Sequence, residues 1–287
     1  MKRWLVAAMA CGAWGCTQPE PTEVDPACVQ EPQVASTDES GASFAYVGAV
    51  RLLERHQLDT GGTVTGTVGA SFYDVRNFST ERPNPLSLSA TCVGITGQPA
   101  QSGERFALPV TSVDVEGMSS GPLTLTSVDG GPLSHGPVPG IFGGSPVTVR
   151  VTGADGGFGS VDFSPLTPPT RVAVQSPDLS GGGTVGNDSL TLKWAAGSDP
   201  TRSIQIDLQV GGNDPATRAL LSCVVLDDGC HVIESGPLLW LTQDRSDPIS
   251  ITFRRSVAEA REVATSVDGG AAASVSLTTE TRGKLTP

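Results

Sequence analysis

Apolar residues fall on alternate positions through most of this chain. Phe44, Tyr46, Val50 and Leu52 share one parity, as do Val64, Val68, Ala70 and Phe72. The same beat returns in Leu86-Ser-Leu-Ser-Ala90, Leu123-Thr-Leu125 and Val147-Thr-Val-Arg-Val151. A period of two sets one face of an extended strand in a core and the other in water. Between these runs stand Asp59-Thr-Gly-Gly62, Asp129-Gly-Gly131 and Asp155-Gly-Gly157. Gly supplies positive φ and Asp bonds its own backbone, so each reads as a turn. Residues 42–165 are expected to form one all-β domain.

Ser164-Pro-Leu-Thr-Pro-Pro169 then interrupts the pattern. Proline removes backbone donors and stiffens the chain, which suits a short link between rigid bodies. A second series follows over 170–287: Val172/Val174, Leu190/Leu192/Trp194, Ile204/Ile206/Leu208/Val210, Leu220 to Val225, Ile249/Ile251/Phe253 and Val275/Leu277. The expected fold class is all-β, with two β-sandwich-like domains. Helix signals are scarce. Ser256-Val-Ala-Glu259 has the form of a capping box, so 254–263 is either a strand edge or a single short helix. Thr-Ser-Val-Asp-Gly-Gly occurs at 126–131 and again at 265–270, and without flanking similarity it reads as shared turn chemistry.

Ser189-Leu-Thr-Leu-Lys-Trp194, a proline-bearing turn and Ser203-Ile-Gln-Ile-Asp-Leu-Gln-Val210 resemble the second and third strands of a fibronectin type III or immunoglobulin-like module. The resemblance covers 170–287 and implies that Trp194 is a core residue. The tyrosine that usually pins such a sandwich is missing, since Tyr46 and Tyr73 both precede the proline link.

The first residues carry an address. Lys2 and Arg3 precede a greasy run, Trp4 to Ala10, and small residues lead to Cys16, which is the order of an export signal. The run is shorter than the roughly 20 residues a bilayer span needs. Cys16 after Gly15 resembles the lipobox of bacterial lipoproteins, which implies removal of residues 1–15 and a diacylglyceryl group on Cys16. The family's usual Leu at minus three is Ala13 here, and Trp14 is bulky at minus two. An ordinary secretory signal cut near Ala13 or Gly15 is the alternative, and Cys11 is a rival site with a shorter greasy run. Residues 16–41, rich in Pro, Glu, Asp, Ser and Thr, read as a flexible tether. Signal, tether and two β domains together resemble uncharacterised bacterial surface lipoproteins, which implies the outer membrane or cell surface and no particular activity.

The formal charge is −12, and loss of Lys2 and Arg3 with the signal takes it to −14. Such a chain repels nucleic acid, and its densest basic pair is only Arg254-Arg255. With Cys16 lipidated, Cys28, Cys92, Cys223 and Cys230 remain, an even number that suggests two disulfides in an exported protein. A two-residue turn at Asp228-Gly229 would hold Cys223 and Cys230 beyond bonding distance. A wider loop centred on Leu226-Asp227 would let them bond, and Cys28–Cys92 would be the second bridge. The wider loop is the expectation; unpaired thiols are the alternative.

Candidate chemistry is thin. Gly117-Met-Ser119-Ser-Gly121 matches the hydrolase elbow, but a strand pattern, Pro122-Leu-Thr-Leu-Thr126, follows where the elbow needs a helix. His56, His135 and His231 are widely separated and lack metal spacing. His231 with Asp227 and Asp228 could hold a cation, though Asp228-Gly229 reads more simply as a turn. The Asp-Gly-Gly turns lack the spacing of known calcium loops. Gly181-Gly-Gly183 lacks the Lys and helix start of a phosphate loop. No catalytic, metal or cofactor-binding residue is assigned and no cofactor is expected. The expected function is a non-enzymatic, lipid-anchored envelope module that binds a protein or glycan partner or serves structurally, probed first at loops 129–145 and 178–188. The alternatives are a hydrolase on a β scaffold, using Ser119 or acidic residues, and a carbohydrate-binding module, which the few aromatics disfavour.

Overall fold

A computed structural model describes Cys28 and residues 44–81, 85–97, 100–126, 131–180, 182–186, 188–199, 201–211, 218–243, 247–264 and 270–286. Residues 1–15, Cys16 and the rest of 16–41 apart from Cys28 lie outside the described residues. So does most of the second Thr-Ser-Val-Asp-Gly-Gly.

The described chain is nearly all β. The first strands are β1 (Tyr46–Gln57), β2 (Thr63–Asp74), β3 (Phe78–Glu81), β4 (Leu86–Ser87), β5 (Cys92–Thr96), β6 (Ala100–Gly103) and β7 (Phe106–Ala107). Next come β8 (Val110–Glu116), β9 (Leu123–Thr126), β10 (Leu133–Val138), β11 (Thr148–Gly153), β12 (Val161–Asp162), β13 (Val174–Ser176) and β14 (Gly183–Thr184). The last are β15 (Leu190–Trp194), β16 (Ser203–Val210), β17 (Ala219–Leu226), β18 (Cys230–Ile233), helix α1 (Ser235–Thr242), β19 (Ile249–Val263) and β20 (Ala271–Thr286).

One sheet organises the molecule. It has eleven strands and runs β10-β2-β1-β20-β19-β16-β17-β5-β4, with β7 on β2 and β14 on β20. Its inner face is covered twice. The sheet β12-β11-β8-β9 closes a first core on Val50, Leu52, Val68, Phe72, Val275 and Leu277. The sheet β13-β15-β18 closes a second core on Ile204, Ile206, Leu208, Leu221, Ile251 and Phe253. From β13 onward the chain builds a sandwich in which β13, β15 and β18 face β17, β16, β19 and β20. Trp194 on β15 is 2% exposed and packs on Phe253 with ring centroids 5.8 Å apart. Consecutive strands β15 and β16 lie in opposite sheets, the crossing that distinguishes immunoglobulin-like sandwiches from meanders.

The expected division into 42–165 and 170–287 is crossed by this sheet. β1 pairs in parallel with β20 over its whole length, and β5 pairs with β17. β19 and β20 hold 15 and 16 residues, roughly 50 Å at 3.3 Å each, and contribute to both cores. What changes at the prolines is the covering layer: the linker runs under the large sheet at the seam between the cores. There β19 and β20 turn polar residues inward. Thr279 Oγ1 donates to Thr170 O (3.1 Å), Thr281 Oγ1 to Val172 O (2.8 Å), and Arg255 to both Thr170 O and Arg171 O.

The segment 254–263 is strand throughout, paired with β20 along its length. Its inward positions Arg255, Val257 and Val263 face a covering layer, which favours extended backbone over the helix that the capping box allows. The one helix among the described residues is α1, where Leu238 and Leu241 close the second core. Pro237 sits in its first turn, where a missing N–H costs nothing.

The cysteine pairing differs from expectation. Cys28 bonds Cys230, and Cys92 bonds Cys223. The loop between β17 and β18 is not a hairpin, because β17 lies in the eleven-stranded sheet and β18 in the three-stranded one. Cys223 therefore faces its register partner Cys92 on β5, while Cys230 is carried across the core towards Cys28. Cys28 is buried, so the expected tether is fixed to the body at that point.

Candidate functional site

Because the inner face serves two cores, the outer face of the large sheet is the surface that the described residues leave uncovered along its centre. Alternation assigns it: Arg51, Leu53, Arg55 and Gln57 on β1; Ser276, Thr278, Glu280, Arg282 and Lys284 on β20. Across β19 come Arg254, Thr252 and Ser250, then Gln205, Asp207 and Gln209 on β16. Arg254 and Arg255, the densest basic pair of the sequence, thus point to opposite faces.

The centre of this face is an ion cluster around Glu280. Its carboxylate accepts from Arg254 Nε and Nη2 (2.9 and 2.8 Å), from Arg55 Nε (3.1 Å) and from Arg282 Nη2 (3.0 Å). Arg254 Nη1 also donates to Asp207 Oδ2 at 3.0 Å, and Ser222 and Gln205 donate to the same carboxylate. Burial pushes the Glu280 pKa up, but the bonds and charges of Arg254 and Arg282 outweigh it and hold the acid below its usual range. Arg282 is the least satisfied member. Burial first, then the neighbouring Arg55 and Arg254, disfavour its charge against the opposing pull of Glu280. Its Nε is buried with no hydrogen-bond partner among the described residues. Beside it lies a cavity of about 240 Å³ bounded by Gln57, Asp59, Gln209, Ser250, Arg254 and Lys284 among others. Lys284 pairs with Asp59 at 3.3 Å, and Gln57 donates to the same carboxylate at 2.6 Å.

The residues singled out from the sequence stand elsewhere. Ser119 lies between β8 and β9, two strands of one sheet, and its hydroxyl donates to Gly140 O at 3.2 Å. No helix leaves that turn, so the elbow geometry is missing. His56 bonds Glu54 at 2.9 Å inside the first sandwich, where the Glu54 carboxylate also accepts the Ile141 and Phe142 N–H groups at 2.8 and 2.9 Å. These bonds overcome burial and lower the Glu54 pKa. His135 sits on the edge strand β10 opposite Val68. Asp227 is turned away from His231 and is taken by Arg255 and by Trp194 Nε1 (2.8 Å). The expected loops are partly strand: 131–145 contains β10, paired with β2 at the edge of the large sheet, and 182–186 contains β14, paired with β20; Asp129 and Gly181 lie outside the described residues.

His231 stands 3.9 Å from Cys92 Sγ by its Nε2, buried behind the Cys92–Cys223 bridge. The two sulfurs and the imidazole lie close enough for a metal, but the sulfurs are bonded to each other and offer no thiolate. Burial lowers the His231 pKa from 6.5 to about 4, against a small opposing pull from Asp228. The unfolded chain therefore takes up the proton first, and stability present above pH 6.5 is lost as pH falls towards 4. The full penalty is about 3 kcal/mol. Urea titrations between pH 7 and 5, above the range where Glu54 and Glu280 protonate, are expected to show this slope. A His231→Gln variant should flatten it; an unchanged slope would place the proton elsewhere.

The outer face was not visible as a site in the sequence, where its charges are scattered over β1, β16, β19 and β20. The signal was the outward parity of each strand, readable only once the strands are in order.

No protein-family model matches the chain, and no curated protein matches it. Among solved structures it is similar to the FN1-FN3 domains of chicken CNTN1, at 12% identity and a TM-score of 0.20. That similarity covers 72% of this chain, which spans 64% of the other.

Proposed function

We propose that this protein is a non-enzymatic binding module of the bacterial cell envelope, held to the membrane by lipid on Cys16, with the outer face of its eleven-stranded sheet as the ligand surface. The observation that supports this most is the polar, hydrogen-bonding character of that face beside a central Arg–Glu cluster. A sheet face used only for solubility has no need of an acid as buried as Glu280, which is 3% exposed beneath three arginines. Rigid side chains held by their neighbours are what a binding surface needs, because less freedom is lost on association. The export signal and the two disulfides support an oxidising compartment.

The test is site-specific photocrosslinking in cells. A crosslinker at Gln209 or Thr67, on the outer face, should capture a discrete envelope partner. One at Thr124, on the exposed side of the opposite sheet, should not. Capture from neither face, or equally from both, removes the reading. A hydrolase remains the second reading only if a purified sample shows an activity that Ser119→Ala abolishes.

A further inference from the structure

We propose that the cavity beside Arg282 binds a small hydroxylated monocarboxylate of the sugar-acid class, with the carboxylate on the cations Arg282 and Lys284 and the hydroxyls on Gln57, Gln209 and Ser250. This deepens the binding-face reading and rests on it.

Charge selects the anion. The cavity is lined by Arg254, Arg282 and Lys284 against Asp59 and Asp207. Both carboxylates are already committed, Asp207 to Arg254 and Ser222, Asp59 to Lys284 and Gln57. Glu280, beneath them, is shared among three arginines. One positive charge is left over at this place on a chain whose formal charge is −12. Arg282 carries the deficit. Its side chain is 35% exposed, yet its Nε is buried without a partner. A carboxylate on the exposed edge of that guanidinium supplies the charge the cluster lacks, and charge-assisted bonds of this kind are the strong ones.

The remaining lining selects hydroxyls. Gln209 and Ser250 spend no side-chain hydrogen bond on a described neighbour, and both present donor and acceptor atoms to the cavity. A sulfate would bring more charge than the single surplus and, having acceptor oxygens only, would leave the acceptor atoms of these groups unserved. The volume, about 240 Å³, is below the roughly 300–1,000 Å³ of drug-sized sites, so one ring fits. Among the described residues no aromatic side chain lines the cavity to stack on a sugar face, so the anionic group has to carry recognition.

Isothermal titration of the purified full chain with glucuronate tests this, with methyl glucoside, acetate and sulfate as comparisons. Saturable glucuronate binding is expected, weakened roughly tenfold or more in Lys284→Gln and in Arg282→Gln, the loss of one charge-assisted bond. Methyl glucoside should give no binding, and acetate and sulfate should bind more weakly than glucuronate. Arg282→Gln disturbs Glu280 and needs a thermal melt beside it. Lys284→Gln, at a side chain 59% exposed, keeps the fold and carries the test alone if the other does not fold. The proposal is overturned by no glucuronate binding, by equal binding of sulfate or methyl glucoside, or by an unchanged affinity in Lys284→Gln. If glucuronate fails while Gln209 still captures a partner, the ligand class falls and the binding face stands.

Discussion

Arg255→Ala is expected to lower the free energy of unfolding by about 3–5 kcal/mol, the cost of leaving one member of a buried ion pair alone. Arg255 is 5% exposed and Asp227 4%. The guanidinium meets that carboxylate in a fork, Nε to Oδ2 at 2.6 Å and Nη2 to Oδ1 at 2.8 Å. It then spends its other donors on the carbonyls of Ala195 (2.6 Å) and Arg171 (3.0 Å). Removing it strands a carboxylate with only the Trp194 indole as donor and leaves carbonyls of two segments unserved. Arg255→Lys should rescue little, because one ammonium cannot span the fork and the linker together. Urea unfolding followed by tryptophan fluorescence reads the loss directly. A cost under about 1 kcal/mol would mean that the seam between the cores is held by something other than this pair. The pair also ties the second sandwich to the linker that enters it, through the Arg255 bonds to Thr170 O and Arg171 O.

Cys92→Ala/Cys223→Ala should cost a similar amount. The bridge spans 131 residues, and loop-closure entropy for that length is about 5 kcal/mol, with measured values for native bridges usually about 2–5. Both sulfurs are buried between β5 and β17, so alanine also leaves unfilled space. The bridge joins β5, the last strand but one at that end of the large sheet and part of the first half of the chain, to β17 of the second sandwich. Its loss should therefore free β4 and β5 first, seen as faster amide exchange at Val93 and Ile95 than at Ile206. A non-reducing digest checks the pairing itself, and a recovered Cys223–Cys230 peptide would contradict it.

Strand parity was legible in the sequence almost residue by residue. The inward positions of β1, β2, β15 and β16 are those the alternation marks, and Trp194 is core. Gly48 and Gly66 interrupt that alternation, and the reason is spatial: the Phe72 and Phe158 rings press on one and the Ile141 side chain on the other. Partnership was not legible. Nothing local says that β1 runs parallel to β20, more than two hundred residues away, or that β17 and β18 part into different sheets. The cysteine pairing depends on that partnership: Cys223 and Cys230, seven residues apart in the chain, stand on strands of different sheets and bond Cys92 and Cys28 instead. Helix α1 was missed because Gly236-Pro237 looks like a turn and four apolar residues, Leu238 to Leu241, have no helical period of their own. The ion cluster needed all four of its strands in order before its charges converged.

The Cys28–Cys230 bridge decides where the body is held from its N-terminal side: Cys28 is fastened to β18, a strand of the second sandwich, although the first strand to follow it in the chain, β1, lies in the large sheet. If lipid on Cys16 moors the chain, as proposed, the span from lipid to bridge is twelve Cα steps, about 40 Å at full extension, and a pull on the lipid would be borne by the second sandwich before it reached β1.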